Sequence, residues 1–296
     1  MRVVGRVEGG PDGREHRLGL ERWARGGTRL RLDGENVRRI AELARVLPVV
    51  AVHPESHELI AGGPGERRRL LDLGLFHVEQ GFHGTWQRYR RALGHRNALL
   101  RAGRADREVA IWEAEMGARG DEIDSLRRRY VEDLAPRVKR LARGILAGRD
   151  ALAIEYRPGW RAGVPLTEAL GASRKRDREQ LGTSVGPHRA DLAIRLDGMD
   201  VRQRVSRGQQ KLLVYVLRLA QAEQLGSGGC ALLLDDLPAE LDSERRLGVL
   251  RAALEVGAQL FVTTLDSQSV PEAGALSRKV FHVEQGRVCE VIQWIG

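Results

Sequence analysis

The segment Ala231-Leu-Leu-Leu-Asp235-Asp236-Leu237-Pro238-Ala239-Glu240-Leu241-Asp242 is where this chain concentrates residues able to do chemistry. Its apolar start reads as a buried strand, and two carboxylates follow directly at the strand's end. In an open α/β sheet that carboxyl edge is where ligands bind. One carboxylate can there hold Mg2+ on a nucleotide while the next polarises an attacking water. The same pair can equally begin a turn or cap the following helix, so the segment alone leaves both readings open. A second feature, Ser206-Arg207-Gly208-Gln209-Gln210, precedes Leu212, Leu213, Val216 and Leu219 at helical spacing. A serine there is an ordinary N-cap. A small turn at a helix N-terminus also offers free N–H groups and the positive end of the helix dipole to an anion such as a terminal phosphate.

The elements that must position these groups follow from periodicity. Residues 1–52 alternate in short runs, with turn signals at 9–13 (GGPDG) and Asp33-Gly34, and predict a small antiparallel sheet. Ile40, Leu43, Ala44 and Leu47 have helical spacing, and residues 49–52 read as a buried strand ending at Pro54. Beyond Gly63-Pro64 the chain turns to arginine-rich helices, first with Phe82, Trp86, Tyr89, Leu93, Arg96 and Leu100 on one stripe. Val109, Trp112 and Met116, then Ile123, Leu126, Tyr130, Leu134, Val138, Leu141 and Ile145, form further stripes. Gly117, Gly120 and Pro136 interrupt them, which predicts a bundle of shorter helices rather than a long coiled coil. Strand pattern returns at 151–156 and in a hairpin at 193–200 around Asp197-Gly198. Helix 209–224, strand 231–234, helix 243–255, strand 259–263 and a hairpin at 279–292 turning at Gln285-Gly286 complete a parallel or mixed α/β pattern.

Composition bounds the function. The 296 residues carry 49 Lys+Arg against 40 Asp+Glu, a net +9, which points to an anionic partner, nucleic acid first. Apolar runs such as 49–52 and 231–234 fall far short of the roughly 18 residues of a membrane span, and no secretory h-region is readable, so a cytosolic protein without a membrane partner is expected. Cys230 and Cys289 show no metal or redox spacing and are expected to be small core hydrophobes. His53, His77 and His188 likewise lack ligand spacing and read as loop or core histidines. The run Arg67-Arg68-Arg69 and the helix-face residues Arg88, Arg90, Arg91 and Arg96 are candidates for DNA phosphates, against the alternative of a solvated face.

The order of signature-like turn, helix and carboxylate-tipped strand matches the ATP-binding heads of the ABC class. Within that class the chain resembles the RecF family of bacterial recombination mediators. The resemblance rests on residues 54–72 (PESHELIAGGPGERRRLLD) running into Gly74-Leu-Phe-His77, on 89–101 (YRRALGHRNALLR), on Gly186-Pro-His-Arg189-Ala-Asp191-Leu, and on 206–211 followed by 233–242. It covers nearly the whole chain. It implies an α/β ABC-ATPase-type head with an inserted α-helical lobe, similar to SMC heads without their long coiled coils. On this chain the head is expected at 1–65 and 183–296, with the lobe at 66–182. The resemblance implies ATP and Mg2+ as cofactors and a homodimer closing over ATP on single- or double-stranded DNA, independent of sequence. It also implies help to RecO and RecR in placing RecA at gapped DNA. By position, Asp235 corresponds to the Walker B magnesium carboxylate and Asp236 to the catalytic carboxylate. Ser206, Arg207, Gly208, Gln209 and Gln210 correspond to the signature that contacts ATP on the opposite protomer, Leu241-Asp242 to the D-loop, and Thr263-Thr264 to the γ-phosphate sensor. Ala190 stands where the family usually has Asp, and Ala239 where it often has Ser.

One departure is large. The family opens with a strand and a P-loop, GxxxxGK[ST], whose amides and lysine hold the phosphates. Here the four lysines follow Val138, Arg174, Gln210 and Arg278, so no Gly-Lys pair and no Walker A motif occurs, and no Gln between Val49 and Arg67 supplies a Q-loop. Residues 1–20 resemble the family's later antiparallel strands, and the expectation is that several tens of residues precede them in the native protein. Two readings stand: a slow RecF-type ATPase and mediator, or a nucleotide-incompetent module that binds DNA or RecR.

Overall fold

The computed structural model describes residues 1–8, 13–24, 26–146, 151–237, 241–266, 270, 278–285 and 287–291, with the side chains of 203, 204, 290 and 291 left aside. The chain forms two compact units, Met1–Pro54 with Gly226–Gly296, and Glu55–Leu225. Their limits differ from the 65 and 183 expected from sequence: residues 183–225 pack with the helical unit.

In the first unit β1 (Arg2–Val7), β2 (His16–Arg22), β3 (Thr28–Leu32) and β4 (Glu35–Val37) form an antiparallel meander. Asp33 and Gly34 take φ of 52° and 90°, the left-handed pair a two-residue hairpin turn requires. Residues 9–12 of the other expected turn lie outside the described residues. Helix α1 (Ile40–Val46) leads into β5 (Val49–Val52), which pairs in parallel with β9 (Ala231–Leu234), itself parallel to β10 (Gln259–Val262). A strand flanked on both sides needs an apolar run, and Ala-Leu-Leu-Leu provides it, with Leu232 and Leu234 buried. Helix α9 (Ser243–Glu255) connects β9 to β10, and β11 (Val280–Glu284) and β12 (Arg287–Val291) form the closing hairpin. Gly286, at its expected turn, lies outside the described residues.

The second unit holds short α2 (Glu58–Ala61), then α3 (Pro64–Val78), α4 (Phe82–Arg101), α5 (Asp106–Ile145) and α6 (Leu166–Glu179). The antiparallel sheet of β6 (Leu152–Arg157), β7 (Asp191–Leu196) and β8 (Met199–Asp200), the short α7 (Val201–Arg204), and α8 (Arg207–Gln224) complete it. The expected break of α5 does not occur: it is one helix of 40 residues, with Pro136 inside it. Gly117 and Gly120 are there for clearance. A Cβ would stand 1.9 Å from Thr167 Oγ1 at the first and 2.1 Å from Leu166 Cδ2 at the second, so the glycines let α6 lie against α5.

Among the described residues of this unit three arginines are buried. Arg96 (α4) donates to Glu113 (α5) at 2.9 Å, to Asp177 (α6) at 2.9 Å and to Thr183 Oγ1 at 2.8 Å. Arg127 (α5) donates to Asp72 (α3) at 2.6 Å and to the Pro187 carbonyl at 2.8 Å. Arg67 (α3) forks onto Asp191 at 2.7 and 3.2 Å and also donates to the Gly62 carbonyl at 2.9 Å. Each ties elements distant in sequence through charge-assisted bonds.

His188, in the turn before β7, sits between Tyr89 Oη at 2.7 Å and the Thr183 carbonyl at 3.1 Å. Burial pushes its imidazole down from 6.5 to about 4. The unfolded chain therefore binds the extra proton between those values, and stability falls as pH drops through that window. By pH 5 the loss from this group is about 2 kcal/mol. Thermal unfolding of the parent and of His188→Gln at pH 7 and pH 5 checks this. The parent is expected to lose more of its midpoint, and equal losses would exclude His188 as the group responsible.

Candidate functional site

Parallel register sets the site. Val52, Leu234 and Val262 are level, so the residues that follow, His53, Asp235 and Thr263, emerge at one sheet edge. The backbone continues the ladder by one step: Asp235 N–H donates to the Val52 carbonyl at 2.8 Å and Thr263 N–H to the Leu234 carbonyl at 3.0 Å. Asp236 then turns left-handed, φ 55°, a conformation that costs a non-glycine residue energy and needs an external partner to hold it. Thr263 is that partner. Its Oγ1 accepts the Asp236 N–H at 2.9 Å and donates to Asp235 Oδ1 at 2.5 Å. The neighbouring Thr264 is engaged differently: its hydroxyl donates to the Asp266 carbonyl at 2.9 Å and accepts the Asp266 N–H at 3.2 Å.

Leu241 is buried, and Asp242 caps α9 by accepting the Arg245 N–H at 2.9 Å. Pro238, Ala239 and Glu240 lie outside the described residues. The donor set at the edge is two adjacent carboxylates and a hydroxyl, and among the described residues no cluster of three or more His, Cys, Asp or Glu could hold a metal. That set fits Mg2+ arriving with phosphate oxygens, which keeps few protein ligands, rather than an ion held in an all-protein cage.

In the second unit Ser206 caps α8. Its Oγ accepts the Gln209 N–H at 3.3 Å while Gln209 Oε1 accepts the Ser206 N–H at 2.9 Å, a reciprocal capping box. Arg207 is exposed and Gly208 and Gln210 are half-buried in the same turn. Leu212, Leu213, Val216 and Leu219 are buried on the helix as their spacing predicts.

The arginines divide sharply. Arg67 and Arg96, candidates for DNA on sequence, are 2% and 0% exposed and ion-paired inside the helical unit, so neither can reach a phosphate outside. Arg69, Arg88 and Arg91 are exposed, and Arg69 pairs with Glu66 one turn away. Arg68 is half-buried and donates to the Ala190 carbonyl at 2.7 Å. The cysteines also part: Cys230 is buried, its thiol pushed up to about 11, whereas Cys289 is exposed on β12 and is not a core residue. Sequence reasoning missed the Thr263 bridge to Asp235 and Asp236, and nothing in the local pattern encodes it.

No protein-family model matches the chain. It is 42% identical over 290 residues to the DNA replication and repair protein RecF of Thioalkalivibrio sulfidiphilus, an alignment covering 97% of this chain and 80% of the relative. The same protein of Stutzerimonas stutzeri is 40% identical over 295 residues, covering 98% and 79%. Among solved structures, the recombination mediator protein RecF with ATP, in the RecFOR pathway, superposes with a TM-score of 0.82 at 25% identity over 98% of this chain and 79% of that one. An Smc head bound to the C-terminal winged-helix domain of ScpA gives 0.53 at 14% identity and shows the fold alone. The fold is that of an α/β ABC-ATPase head. No helix among the described residues is long and apolar enough to cross a membrane.

If Thr263 braces the carboxylate turn, Thr263→Val removes its acceptor and donor together and strands the Asp236 amide. Hydrogen exchange at that amide is expected to quicken by about tenfold, the equivalent of one lost hydrogen bond. Thr263→Ser should keep the parental rate. Parental exchange in the valine variant would remove the bridge from the account of the site.

Proposed function

The chain belongs to the RecF family of DNA replication and repair proteins, and we propose that it serves as a recombination mediator on DNA, working with RecO and RecR in loading RecA at gaps. The observation that carries this reading is the carboxylate edge braced by Thr263 in a chain about 40% identical to RecF along nearly its whole length. In the family reading the protein acts as an ATP-dependent homodimer. Asp235 would hold the magnesium ion that arrives with the nucleotide, and Asp236 would polarise the attacking water. Bound Mg2+ supplies neutralisation of the phosphate oxygens. Ser206 to Gln210 present the N-terminus of α8 to a phosphate held by the opposite protomer, where the helix dipole favours negative charge. Leu241-Asp242 would serve as the D-loop, and Thr263 or Thr264 would sense the γ-phosphate.

A second reading is favoured by one observation: no Gly-Lys pair occurs in these 296 residues. On this reading these residues supply no phosphate-wrapping loop of their own and would work as a DNA-binding or RecR-binding module without turnover. DNA contact in either case runs through arginines to backbone phosphates, with no base-reading helix, so it is sequence-independent and falls with salt.

Fluorescence anisotropy on gapped, duplex and single-stranded DNA of unrelated sequences, between about 50 and 200 mM salt, tests the DNA reading. Binding is expected to weaken linearly in log salt, equally for all sequences; no binding at the lowest salt would overturn it. Titration with Mg-ATP is expected to give no isotherm for the isolated chain. A saturable, magnesium-dependent one would return the nucleotide site to this chain and dismiss the second reading.

A further inference from the structure

We propose that Arg68, Arg90 and Arg189 form a binding site for the phosphodiester backbone of DNA on the helical unit, around the turn from Gly186 to Ala190. The proposal rests on the RecF reading above for the identity of the anion. The site itself comes from how buried charge is distributed.

The turn is fixed from several sides. Gly186 has φ 125°, and a Cβ there would stand 2.5 Å from Tyr89 Oη, so only glycine fits against the tyrosine. Arg127 donates to the Pro187 carbonyl at 2.8 Å, and His188 bridges Tyr89 and the Thr183 carbonyl. Arg189 spans back with Nε and Nη2 to the same Thr183 carbonyl at 3.3 and 3.2 Å. Arg68 reaches over from α3 to the Ala190 carbonyl at 2.7 Å, next to Arg189 along the chain. Arg90 comes from α4. Its guanidinium lies 6.0 Å from the Trp86 ring centroid, the ring over which Arg127 lies at 5.2 Å.

The carboxylates acting on Arg68 are Asp191 and Asp72, and both are already committed, Asp191 to Arg67 and Asp72 to Arg127. Arg68, Arg90 and Arg189 form no ion pair with a carboxylate among the described residues, and each leaves guanidinium N–H groups unused. Burial, and after it the nearby charges of Arg127 and Arg189, raise the acidity of Arg68. Arg189 and Arg90 are exposed and Arg68 half-buried, so the surplus faces water rather than the core.

Guanidinium groups fork onto phosphate oxygens, and three of them on α3, α4 and a rigid turn suit successive phosphates better than one small anion. The Trp86 ring does not serve a base. Trp86 lies near-parallel to Phe82 and Tyr89, at 6.5 and 5.6 Å, and its face is taken by the arginines. Recognition is therefore of charge and spacing alone.

The salt dependence of DNA binding tests the site. Each phosphate contact contributes about 0.9 to the log–log slope on duplex DNA. Arg90→Ala should flatten the slope by about 0.9 and weaken binding about tenfold near 0.1 M salt, for every sequence alike. The triple variant Arg68→Ala/Arg90→Ala/Arg189→Ala should flatten it by about 2.7. Arg251→Ala, an exposed arginine of α9, serves as the control and should bind as the parent does. Arg90, whose side chain makes no hydrogen bond among the described residues, keeps the test sound if the triple variant is unstable. A parental slope in Arg90→Ala and in a folded triple variant would overturn the site while leaving the RecF reading intact. Loss of inorganic pyrophosphate binding with DNA binding unchanged would overturn it in favour of a small-anion site. A parent protein that binds no DNA would overturn both.

Discussion

A guanidinium taken out of water must bring its counter-charge with it, and three such groups organise the helical unit. Removing one partner of a buried ion pair typically costs about 3–5 kcal/mol, because the other is left charged and unsolvated. Arg96 meets that condition only when α4, α5 and α6 are all in place, since Glu113 and Asp177 arrive from the latter two. Arg127 requires α3 and the turn at Pro187, and Arg67 requires the start of β7. The continuity of α5 follows from the same demand, because Glu113 and Arg127 lie on one helix and serve two separate clusters. Satisfying those pairs uses up the carboxylates near the Gly186–Ala190 turn, and the arginines left over become the cationic surface.

In the other unit the constraint is register. Two parallel pairings bring a carboxylate and a hydroxyl level at the sheet edge, and the left-handed Asp236 is held by Thr263 rather than by anything next to it in the chain. The threonine's hydrogen is given to Asp235, so one side chain fixes both members of the carboxylate pair. Ser206 likewise spends its hydroxyl on the capping box that starts α8.

Much of this was legible in the sequence, for identifiable reasons. β9 stands out because a short apolar run ended by carboxylates marks a buried strand, although the pair itself reads equally as a turn or cap, and α4, α8 and the Asp197-Gly198 hairpin obey simple periodicities. The uninterrupted α5 was hidden, because glycine and proline look like stops until the side chains of α6 that need the space, Leu166 and Thr167, are known. Arg67 and Arg96 read from sequence as surface cations because an arginine on a helix looks the same whether it faces water or a carboxylate. Their partners lie 124 and 81 residues away, Asp191 and Asp177. Cys289 was placed in the core by residue type alone, and a two-stranded hairpin offers little core.

The division between arginines that hold the fold and those proposed to meet DNA is most directly tested at Arg96, a surface cation by sequence and a buried one in the fold. Arg96→Lys keeps the charge and discards the fork that reaches Glu113, Asp177 and Thr183 together. Urea unfolding and the salt slope of DNA binding should be measured on the same preparation. The expected result is a lowered urea midpoint, a loss of about 2 kcal/mol or more, with the salt slope of the folded protein unchanged. An unchanged midpoint together with a slope flattened by about 0.9 would place Arg96 on the DNA after all and contradict the division.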